Sequence, residues 1–407
     1  MFPEQQYAEK TASAGEKKYR LSDFFNAHWD NYLKNPKTEI KPEHFKAVNA
    51  IRTCRTAVLG QRVYSCESCG SVSDVYHSCK HRFCPTCSWS DTVKWAEKTY
   101  HKLLNIPHRH VVATLPHALN SLIEKNYKQI NNILLRSAAD TLKDWMGAKY
   151  GVIPGIMSVL HTYGERKNQH YHVHMVVSCG GINLKTGRLT TIPDEFFPFK
   201  FLAGKFRIKF ETQLIELFDA GLLQHSFCDR AQLLGLLKKV NLDNWRFHIE
   251  PPMDNALQVI RYIGRYSKRA CLSEHKIVSI ENQNIAFRYK DYQDRDTKNQ
   301  PIEKVETLHY SEFFPRLLQH VPPPGFQIIR YYGVYANSHK IPDKYTEKPE
   351  MKKESCTSYK QPHICEHCGQ ARLHIYTVFD KREPKNRTQQ FDQNLHKNVL
   401  IDMQIRN

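Results

Sequence analysis

The chain has 407 residues, of which 41% are hydrophobic and 25% are charged, a composition typical of a globular protein with two or three domains. Its net charge of +18 and isoelectric point near 9.3 favour a polyanionic partner, with nucleic acid first and an anionic membrane surface second. The polar opening MFPEQQYAEK, the lack of a long apolar run and the lack of a clean basic amphipathic helix argue against a secreted or membrane-bound protein and predict a cytoplasmic one.

Taken in chain order, apolar periodicity predicts helices interleaved with short strands. The helices are expected over residues 17–58, 118–147, 198–240, 256–269 and 311–319. The strands are expected over residues 109–115, 156–164, 171–178 and 245–250, with a hairpin over 276–292. Interleaved helices and hairpin connections predict an α+β fold with a largely antiparallel sheet.

Residues 170–181 read HYHVHMVVSCGG and place three histidines at alternate positions, His170, His172 and His174. Alternation with a period of two is typical of a β-strand and puts these imidazoles on one face. The opposite face carries hydrophobic side chains suited to a core: Val173, Met175 and Val177. A half-exposed strand without a ligand role is the simpler interpretation of this pattern alone.

The polar segment GERKNQ joins this strand to the preceding one, IMSVLHTYG, in a predicted hairpin. If Tyr163 faces His170, then His161 lies opposite His172 on the same face, where directly opposed Cβ atoms are about 4.5–5.5 Å apart. His161, His172 and His174 could then bind one ion and leave other coordination positions open, as catalytic sites do. A register shift by one residue would turn His161 away and leave His170 as the third ligand.

The predicted helix ALQVIRYIGRYSKR carries Tyr262 and Tyr266, which are four residues apart and therefore share one face. Basic side chains flank the pair and could grip phosphates: Arg261, Arg265, Lys268 and Arg269. Two half-buried tyrosines on a basic surface helix are the simpler interpretation. A metal site nearby would favour a second one, in which a tyrosine hydroxyl attacks a polarised phosphate.

The chain has 12 cysteines, which in a reducing compartment are better interpreted as metal ligands than as disulfides. Cys66-x-x-Cys69 and Cys84-x-x-Cys87 are separated by 14 residues and predict a tetrahedral zinc site. Further candidate ligands could form a second site or replace one thiolate of the first: Cys54, Cys79, His77 and His81. Zinc could recognise DNA through this module or only hold a small domain together.

Near the C-terminus, Cys365-x-x-Cys368 is half of a zinc site, and the candidates to complete it are Cys356, His363 and His374. Three other cysteines are expected to be buried and to bind no metal: Cys179, Cys228 and Cys271.

These motifs together resemble those of a known family. HYHVHMVVSCGG is similar to the His-hydrophobe-His (HUH) motif, and RYIGRYSKR to the paired-tyrosine motif, of the rolling-circle transposases of the insertion sequence ninety-one family. The resemblance covers roughly residues 20–345 in consistent order and includes CRTAVLGQRVYSCESCG, YHSCKHRFCPTC, RHVVATLPHALN, FRYKDY and HVPPPGFQIIRYYGVYANSHK. The Lys-Arg pair after Tyr266 departs slightly from the common Thr-His-Arg ending.

This resemblance implies an HUH endonuclease-like antiparallel sheet, with the histidines on a central strand and the tyrosine helix close by. It also implies nicking of single-stranded DNA, a 5′-phosphotyrosine intermediate and a free 3′-hydroxyl. Carried over by position, His172 and His174 are metal ligands, and Tyr262 and Tyr266 are nucleophiles. His161 as the third ligand rests on the predicted hairpin and on similar spacing in relaxases.

We therefore predict four regions: a helical segment (1–53), a zinc-binding DNA-recognition module (54–95), an HUH tyrosine transposase catalytic domain (96–337) and a polar basic tail (338–407). The expected cofactors are Mg²⁺ or Mn²⁺ at the histidine site and structural zinc at the cysteines. Three imidazoles do not identify the ion, since Zn²⁺ and Mn²⁺ fit them and Mg²⁺ usually prefers oxygen. The expected partner is DNA, as single-stranded element ends and target, in the bacterial cytosol and nucleoid.

Other functions remain compatible with the same motifs. A replication initiator or relaxase would use the same chemistry at a plasmid origin. A zinc-dependent DNA-binding regulator would need neither the histidines nor the tyrosines for binding. A three-histidine metallohydrolase would use water, would form no protein–DNA adduct and would stay active with both tyrosines changed to Phe. The sequence has no convincing P-loop, so neither helicase nor ATPase activity is expected.

Overall fold

The computed structural model describes residues 19–36, 38–66, 68–193, 198–240, 245–253, 260, 264, 271–347, 365, 367–369 and 373–380. These residues form two compact units, each discontinuous in sequence. The first contains the described residues of 1–54 and 79–360, and the second those of 55–78 and 361–407. The sequence-based domain boundaries are consecutive, and they stay a prediction.

Helices and antiparallel sheets share the described part of the chain, so the predicted α+β fold is confirmed. The helices are α1 Leu21–Leu33, α2 Pro42–Thr53, α3 Ser88–Tyr100, α4 Asn120–Lys125, α5 Tyr127–Tyr150, α6 Phe199–Asp219, α7 Arg230–Lys239 and α8 Tyr310–Leu318. The strands are β1 Gly60–Ser65, β2 Val72–Tyr76, β3 His108–Thr114, β4 Val152–Tyr163, β5 Gln169–Asn183, β6 Leu189–Thr191, β7 Arg246–Ile249, β8 Ile277–Glu281, β9 Asn284–Arg295, β10 Pro301–His309, β11 Ile329–Gly333 and β12 Leu373–Asp380.

The first unit is built around a six-stranded antiparallel sheet in the order β11-β4-β5-β3-β7, with β6 paired to β5. The strand with the histidine motif, β5, therefore lies at the centre of the sheet. It is longer than the predicted strand because its β4 partner continues the pairing to Val152↔Asn183. A Cβ at Gly181 would lie 1.9 Å from the carbonyl oxygen of Ile153, so this close approach explains the glycine pair at the end of the motif.

One face of the sheet packs on a large hydrophobic core. Val173, Met175 and Val177 on β5 are at most 1% exposed and belong to this core, as the alternating pattern predicts. The same core receives α5, α6 and α7. The buried side chains of α6 repeat every four residues, at Leu202, Phe206, Phe210 and Leu214, as expected for an amphipathic helix. The opposite face of β5 carries His172 and His174, followed by Val176.

A second core lies elsewhere in the same unit and joins α1 and α2 to α8 and the sheet β10-β9-β8. Phe25 of α1 stacks on Phe314 of α8 with ring centroids 4.7 Å apart. Contacts of this kind link residues near 20–50 to residues near 270–320, so the N-terminal helices share their core with a late part of the chain.

Three long predicted helices are each two helices in the structure. The stretch 17–58 divides into α1 and α2 because Pro36 follows the end of α1 and Pro42 begins α2. The stretch 118–147 divides into α4 and α5 at Asn126, and 198–240 divides into α6 and α7 after Gly221, whose φ is +68°. The hairpin at 276–292 is confirmed as β8 and β9, but the sequence missed their third strand, β10.

The second unit contains the β1–β2 hairpin, with β12 paired antiparallel to β1. Among the residues that the structure describes, no helix combines the length and the hydrophobicity needed to cross a bilayer.

Candidate functional site

Three histidines converge on the face of the central sheet opposite the large core. His161 of β4 lies directly opposite His172 of β5, which confirms this part of the predicted register. Each of His161, His172 and His174 offers one ring nitrogen, and these nitrogens lie within 4.8 Å of one another. The ring centroid of His161 is 5.1 Å from that of His172 and 4.2 Å from that of His174. Such a cluster can hold one metal ion.

The predicted pairing of Tyr163 with His170 is wrong, because the register shifts between His161 and Tyr163 and pairs Tyr163 with Gln169. The shift falls beyond His161 and therefore leaves its pairing with His172 intact. His170, the alternative third ligand, lies outside the cluster of converging nitrogens. Its ring packs beside His117, with centroids 5.1 Å apart.

The converging imidazoles are held in their neutral form. Burial, reinforced by His170, lowers the pKa of His172 to about 3. Burial and the neighbouring histidines hold the pKa of His161 and of His174 well below the usual value. Only a neutral imidazole offers a lone pair to a metal, so these shifts favour metal binding over protonation at neutral pH.

Hydrogen bonds fix which nitrogen of each imidazole is available. His172 Nδ1 lies 3.0 Å from the backbone oxygen of His170 and can donate to it, which leaves His172 Nε2 for a ligand. His174 Nδ1 lies 2.7 Å from His110 Nε2, and His110 Nδ1 lies 3.3 Å from Oε1 of Glu250. A proton on each Nδ1 would make a continuous chain from Glu250 through His110 to His174, with His174 Nε2 directed away from it.

Sequence reasoning missed both His110 and Glu250. His110 is 3% exposed on β3, next to β5, and Glu250 follows β7. A signal for His110 was present in PHRHVV (residues 107–112), where His108 and His110 alternate just as His172 and His174 do. Glu250 has no comparable signal, because its approach to His110 depends on the pairing of β7 with β3.

The proposed nucleophiles and phosphate-binding residues lie outside the described residues: Tyr262, Tyr266, Arg261, Arg265, Lys268 and Arg269. The structure does describe Ile260 and Gly264 from the same stretch. Ile260 is fully buried in a cluster with Val159 and Val176, which lie on the histidine face of the sheet. A Cβ at Gly264 would lie 3.0 Å from the ring of Trp95, so a larger residue would require that ring to move by a few tenths of an ångström.

The cysteines form two clusters of four. Cys54, Cys79, Cys84 and Cys87 belong to the first unit, and Cys66, Cys69, Cys365 and Cys368 to the second. Within each cluster the sulfur atoms lie within 4.8 Å of one another. All six cysteines named as zinc ligands from the sequence are therefore in a cluster. The expectation that the two motifs Cys66-x-x-Cys69 and Cys84-x-x-Cys87 share one ion is wrong, because each motif meets different partners.

The other candidate ligands have different outcomes. His77 and His81 belong to neither cluster among the described residues, and His81 Nδ1 instead accepts a hydrogen bond from the backbone of Phe83. Cys356, His363 and the side chain of His374 lie outside the described residues. Cys179 and Cys271 are buried as expected, whereas Cys228 is exposed because it lies in the loop before α7.

Comparison with known proteins agrees with this arrangement. Residues 24–115 match the family described as "Transposase zinc-binding domain", and residues 155–342 match the family described as "Putative transposase". The chain is 33% identical over 328 residues to "Putative transposase y4qJ" of Sinorhizobium fredii, which covers 79% of this chain and 81% of that protein. It is also 28% identical over 323 residues to "Transposase for insertion sequence element IS801" of Pseudomonas savastanoi pv. phaseolicola. That aligned region covers 78% of this chain and 76% of the relative.

No solved structure shows significant similarity to the chain. The relative that is 33% identical spans most of both chains, and the two matching domains occur in the order zinc-binding domain, then transposase domain. Together with the cysteine clusters, these matches show that the chain belongs to the transposases of the insertion sequence ninety-one family, with an N-terminal zinc-binding domain.

Proposed function

We propose that this transposase nicks single-stranded DNA at the ends of its element through a tyrosine nucleophile and then rejoins the strands. DNA is the partner that a transposase requires, and the net charge of +18 suits a polyanion. The observation that carries the proposal is the convergence of His161, His172 and His174 on the sheet face that also buries Ile260, two residues before Tyr262.

The three imidazoles suit a divalent cation because they are neutral and close together. Of the two proposed ions, Mn²⁺ fits them better than Mg²⁺, which prefers oxygen ligands. A cation bound there would withdraw electron density from a phosphate oxygen and offset the charge that develops during attack. His172 and His174 would hold it through Nε2, since their Nδ1 atoms face His170 and His110. The protein would thereby orient the scissile phosphate against the sheet.

In the proposed step, the phenolic oxygen of Tyr262 or Tyr266 forms a bond to phosphorus, and the bond from phosphorus to the 3′ oxygen breaks. Tyrosine loses its proton, and the departing 3′ oxygen takes one up, so no water is consumed. One phosphodiester replaces another, which preserves the bond energy for rejoining to a second 3′-hydroxyl. Two tyrosines four residues apart in the sequence could hold two strand ends in succession. Arg261, Arg265, Lys268 and Arg269 would bind the flanking phosphates.

A covalent-adduct assay tests this proposal. Purified, zinc-loaded protein is mixed with end-labelled single-stranded DNA from the element's ends, with Mn²⁺, Mg²⁺ or EDTA, and resolved on a denaturing gel. We expect a metal-dependent protein–DNA band that persists in at least one of Tyr262→Phe and Tyr266→Phe and is lost when both are changed.

The controls separate this chemistry from its rivals. Duplex DNA of the same sequence should give little adduct, since a paired strand does not present its phosphodiester to the site. Cleavage that survives in the double Phe variant without a covalent band would assign the attack to water and refute the tyrosine mechanism. DNA binding without cleavage on authentic ends would favour a non-catalytic zinc-dependent DNA-binding protein.

The contact between His110 and His174 predicts that His110 positions a metal ligand without binding metal itself. Changing His110 to Ala removes the acceptor 2.7 Å from His174 Nδ1, so we expect the Mn²⁺ affinity to fall about 10–100-fold. Glu250→Gln should have a smaller effect in the same direction, since its Oε1 contacts His110 and not His174. Isothermal titration with Mn²⁺ measures both affinities.

His248→Ala is the matched control for this prediction. His248 lies 3.9 Å from the same Glu250 carboxylate, but its side chain is 67% exposed, whereas that of His110 is 3% exposed. Its Mn²⁺ affinity should equal that of the unchanged protein. Equal affinities for His110→Ala and His248→Ala would contradict a positioning role for His110.

A further inference from the structure

The second cysteine cluster joins two segments of chain that are nearly 300 residues apart. Cys66 Sγ lies 3.4 Å from Cys368 Sγ, and Cys69 Sγ lies 3.6 Å from Cys365 Sγ. Zinc–sulfur bonds of about 2.3 Å in a tetrahedral site place neighbouring sulfurs about 3.8 Å apart. The observed sulfur–sulfur distances are therefore close to those expected for four thiolates around one zinc ion.

The two halves of this cluster have the same sequence pattern and the same backbone turn. They read CESCG at 66–70 and CEHCG at 365–369. In each, the glycine N–H donates to the carbonyl oxygen of the first cysteine at 2.8 Å, Gly70 to Cys66 and Gly369 to Cys365. Both glycines have positive φ, +68° and +74°, a conformation that other residues adopt at a cost. Two equivalent Cys-x-x-Cys-Gly knuckles thus face each other across the cluster.

The surroundings suit thiolates. Cys66 and Cys365 are at most 1% exposed, so an unpaired negative charge on either sulfur would be costly without a cation. The Ser71 hydroxyl lies 3.0 Å from Cys365 Sγ and 3.3 Å from Cys69 Sγ, where it can donate to a thiolate.

The adjoining strands hold the knuckles in register. Cys66 follows directly after β1, and β12 begins four residues after Gly369. The strands pair antiparallel, with Ser65 opposite Leu373 at the end nearest the cysteines. Strand pairing and the cysteine cluster therefore act on the same two segments and would reinforce each other.

We propose that Cys66, Cys69, Cys365 and Cys368 bind a zinc ion of their own, which clamps the C-terminal knuckle and β12 onto the β1–β2 hairpin. The transposase zinc-binding family covers residues 24–115 and so contains only two of these four ligands. The protein thus carries two zinc ions: one from Cys54, Cys79, Cys84 and Cys87, and one that exists only when both ends of the second unit are present. This assignment does not rest on the proposed tyrosine chemistry.

The zinc content of the full chain tests the proposal. Inductively coupled plasma mass spectrometry of the unchanged protein should give two zinc ions per chain. The pair Cys365→Ser with Cys368→Ser should lower this to one. The pair Cys66→Ser with Cys69→Ser should also give one, and all four changes together should still give one, because both pairs remove the same site.

One control variant and two further measurements complete the test. Cys228→Ser removes an exposed cysteine outside both clusters and should retain two zinc ions. Circular dichroism of each variant shows whether the first unit stays folded. In a cobalt-substituted protein, either double change should remove about half of the thiolate-to-cobalt absorption.

Specific results would overturn the assignment. Two zinc ions retained in Cys365→Ser with Cys368→Ser would exclude the C-terminal knuckle as a ligand source. One zinc ion in the unchanged protein, or loss of both ions in the four-fold variant with the first unit folded, would exclude two independent sites. Iron at this position in place of zinc would refute the identity of the ion.

Discussion

His174→Ala is expected to lower metal-dependent DNA nicking more than about a hundredfold, because it removes a proposed metal ligand and not merely a residue that supports one. The ring centroid of His174 lies 4.2 Å from that of His161 and 4.9 Å from that of His172, and its Nδ1 lies 2.7 Å from His110 Nε2. The rate of adduct formation on single-stranded element ends, measured at saturating Mn²⁺ and again over a Mn²⁺ titration, gives the loss.

The third ligand can be identified by comparing two matched substitutions. His161→Ala should weaken Mn²⁺ binding strongly, since its ring nitrogen belongs to the cluster. His170→Ala removes an imidazole from the same strand but keeps the backbone oxygen that faces His172 Nδ1, so it should change Mn²⁺ affinity little. The opposite ranking would transfer the third ligand to His170 and contradict the register argument.

A nicking rate unchanged in His174→Ala, with the protein folded and its zinc retained, would exclude the histidine cluster from the reaction. The circular dichroism spectrum and the zinc content of each histidine variant provide that control. DNA binding should persist in all three variants, because the net charge of +18 is unaffected by neutral histidines.

The histidine site was largely readable from the sequence because a strand imposes a period of two and a short hairpin brings neighbours together. The register of His161 against His172 could be predicted, since a short polar loop between the two strands leaves few alternatives. The bulge beyond His161 could not be predicted, as nothing in GERKNQ specifies it. His110 and Glu250 reach the site through pairings of β3 with β5 and β7, which local periodicity does not encode.

The sequence also does not show which cysteines cluster together, because this too depends on contacts between segments that are distant in the chain. Each Cys-x-x-Cys motif is a local turn, but its complement can lie anywhere in the chain. The two motifs close in sequence, at 66–69 and 84–87, fall into different clusters. The better signal was the shared pattern CESCG and CEHCG, since equivalent turns suit opposite sides of one tetrahedral site.

Cys84→Ser is expected to produce the largest loss of stability in the chain. Cys84 is fully buried, and it belongs to both the first cysteine cluster and the core that joins α1, α2 and α8. Zinc binding stabilises small zinc-finger peptides by about 10–16 kcal/mol. A loss of about 5 kcal/mol here, a fraction of that figure, would lower Tm by on the order of 7 °C in a unit of this size. Differential scanning calorimetry and zinc content, measured on the same preparation, test it.

Cys271→Ser is the matched control, since it makes the same substitution in the same core outside the cluster. Cys271 is 6% exposed and belongs to the same core as Cys84, but it does not belong to the described metal clusters. Burying its hydroxyl should cost about 1–3 kcal/mol and leave the zinc content unchanged. Equal losses of Tm for the two variants, with equal zinc, would mean that packing and not metal binding accounts for the role of Cys84. A larger loss confined to Cys84→Ser, together with one missing zinc ion, would make this ion a structural element of the core on which the N-terminal helices rest.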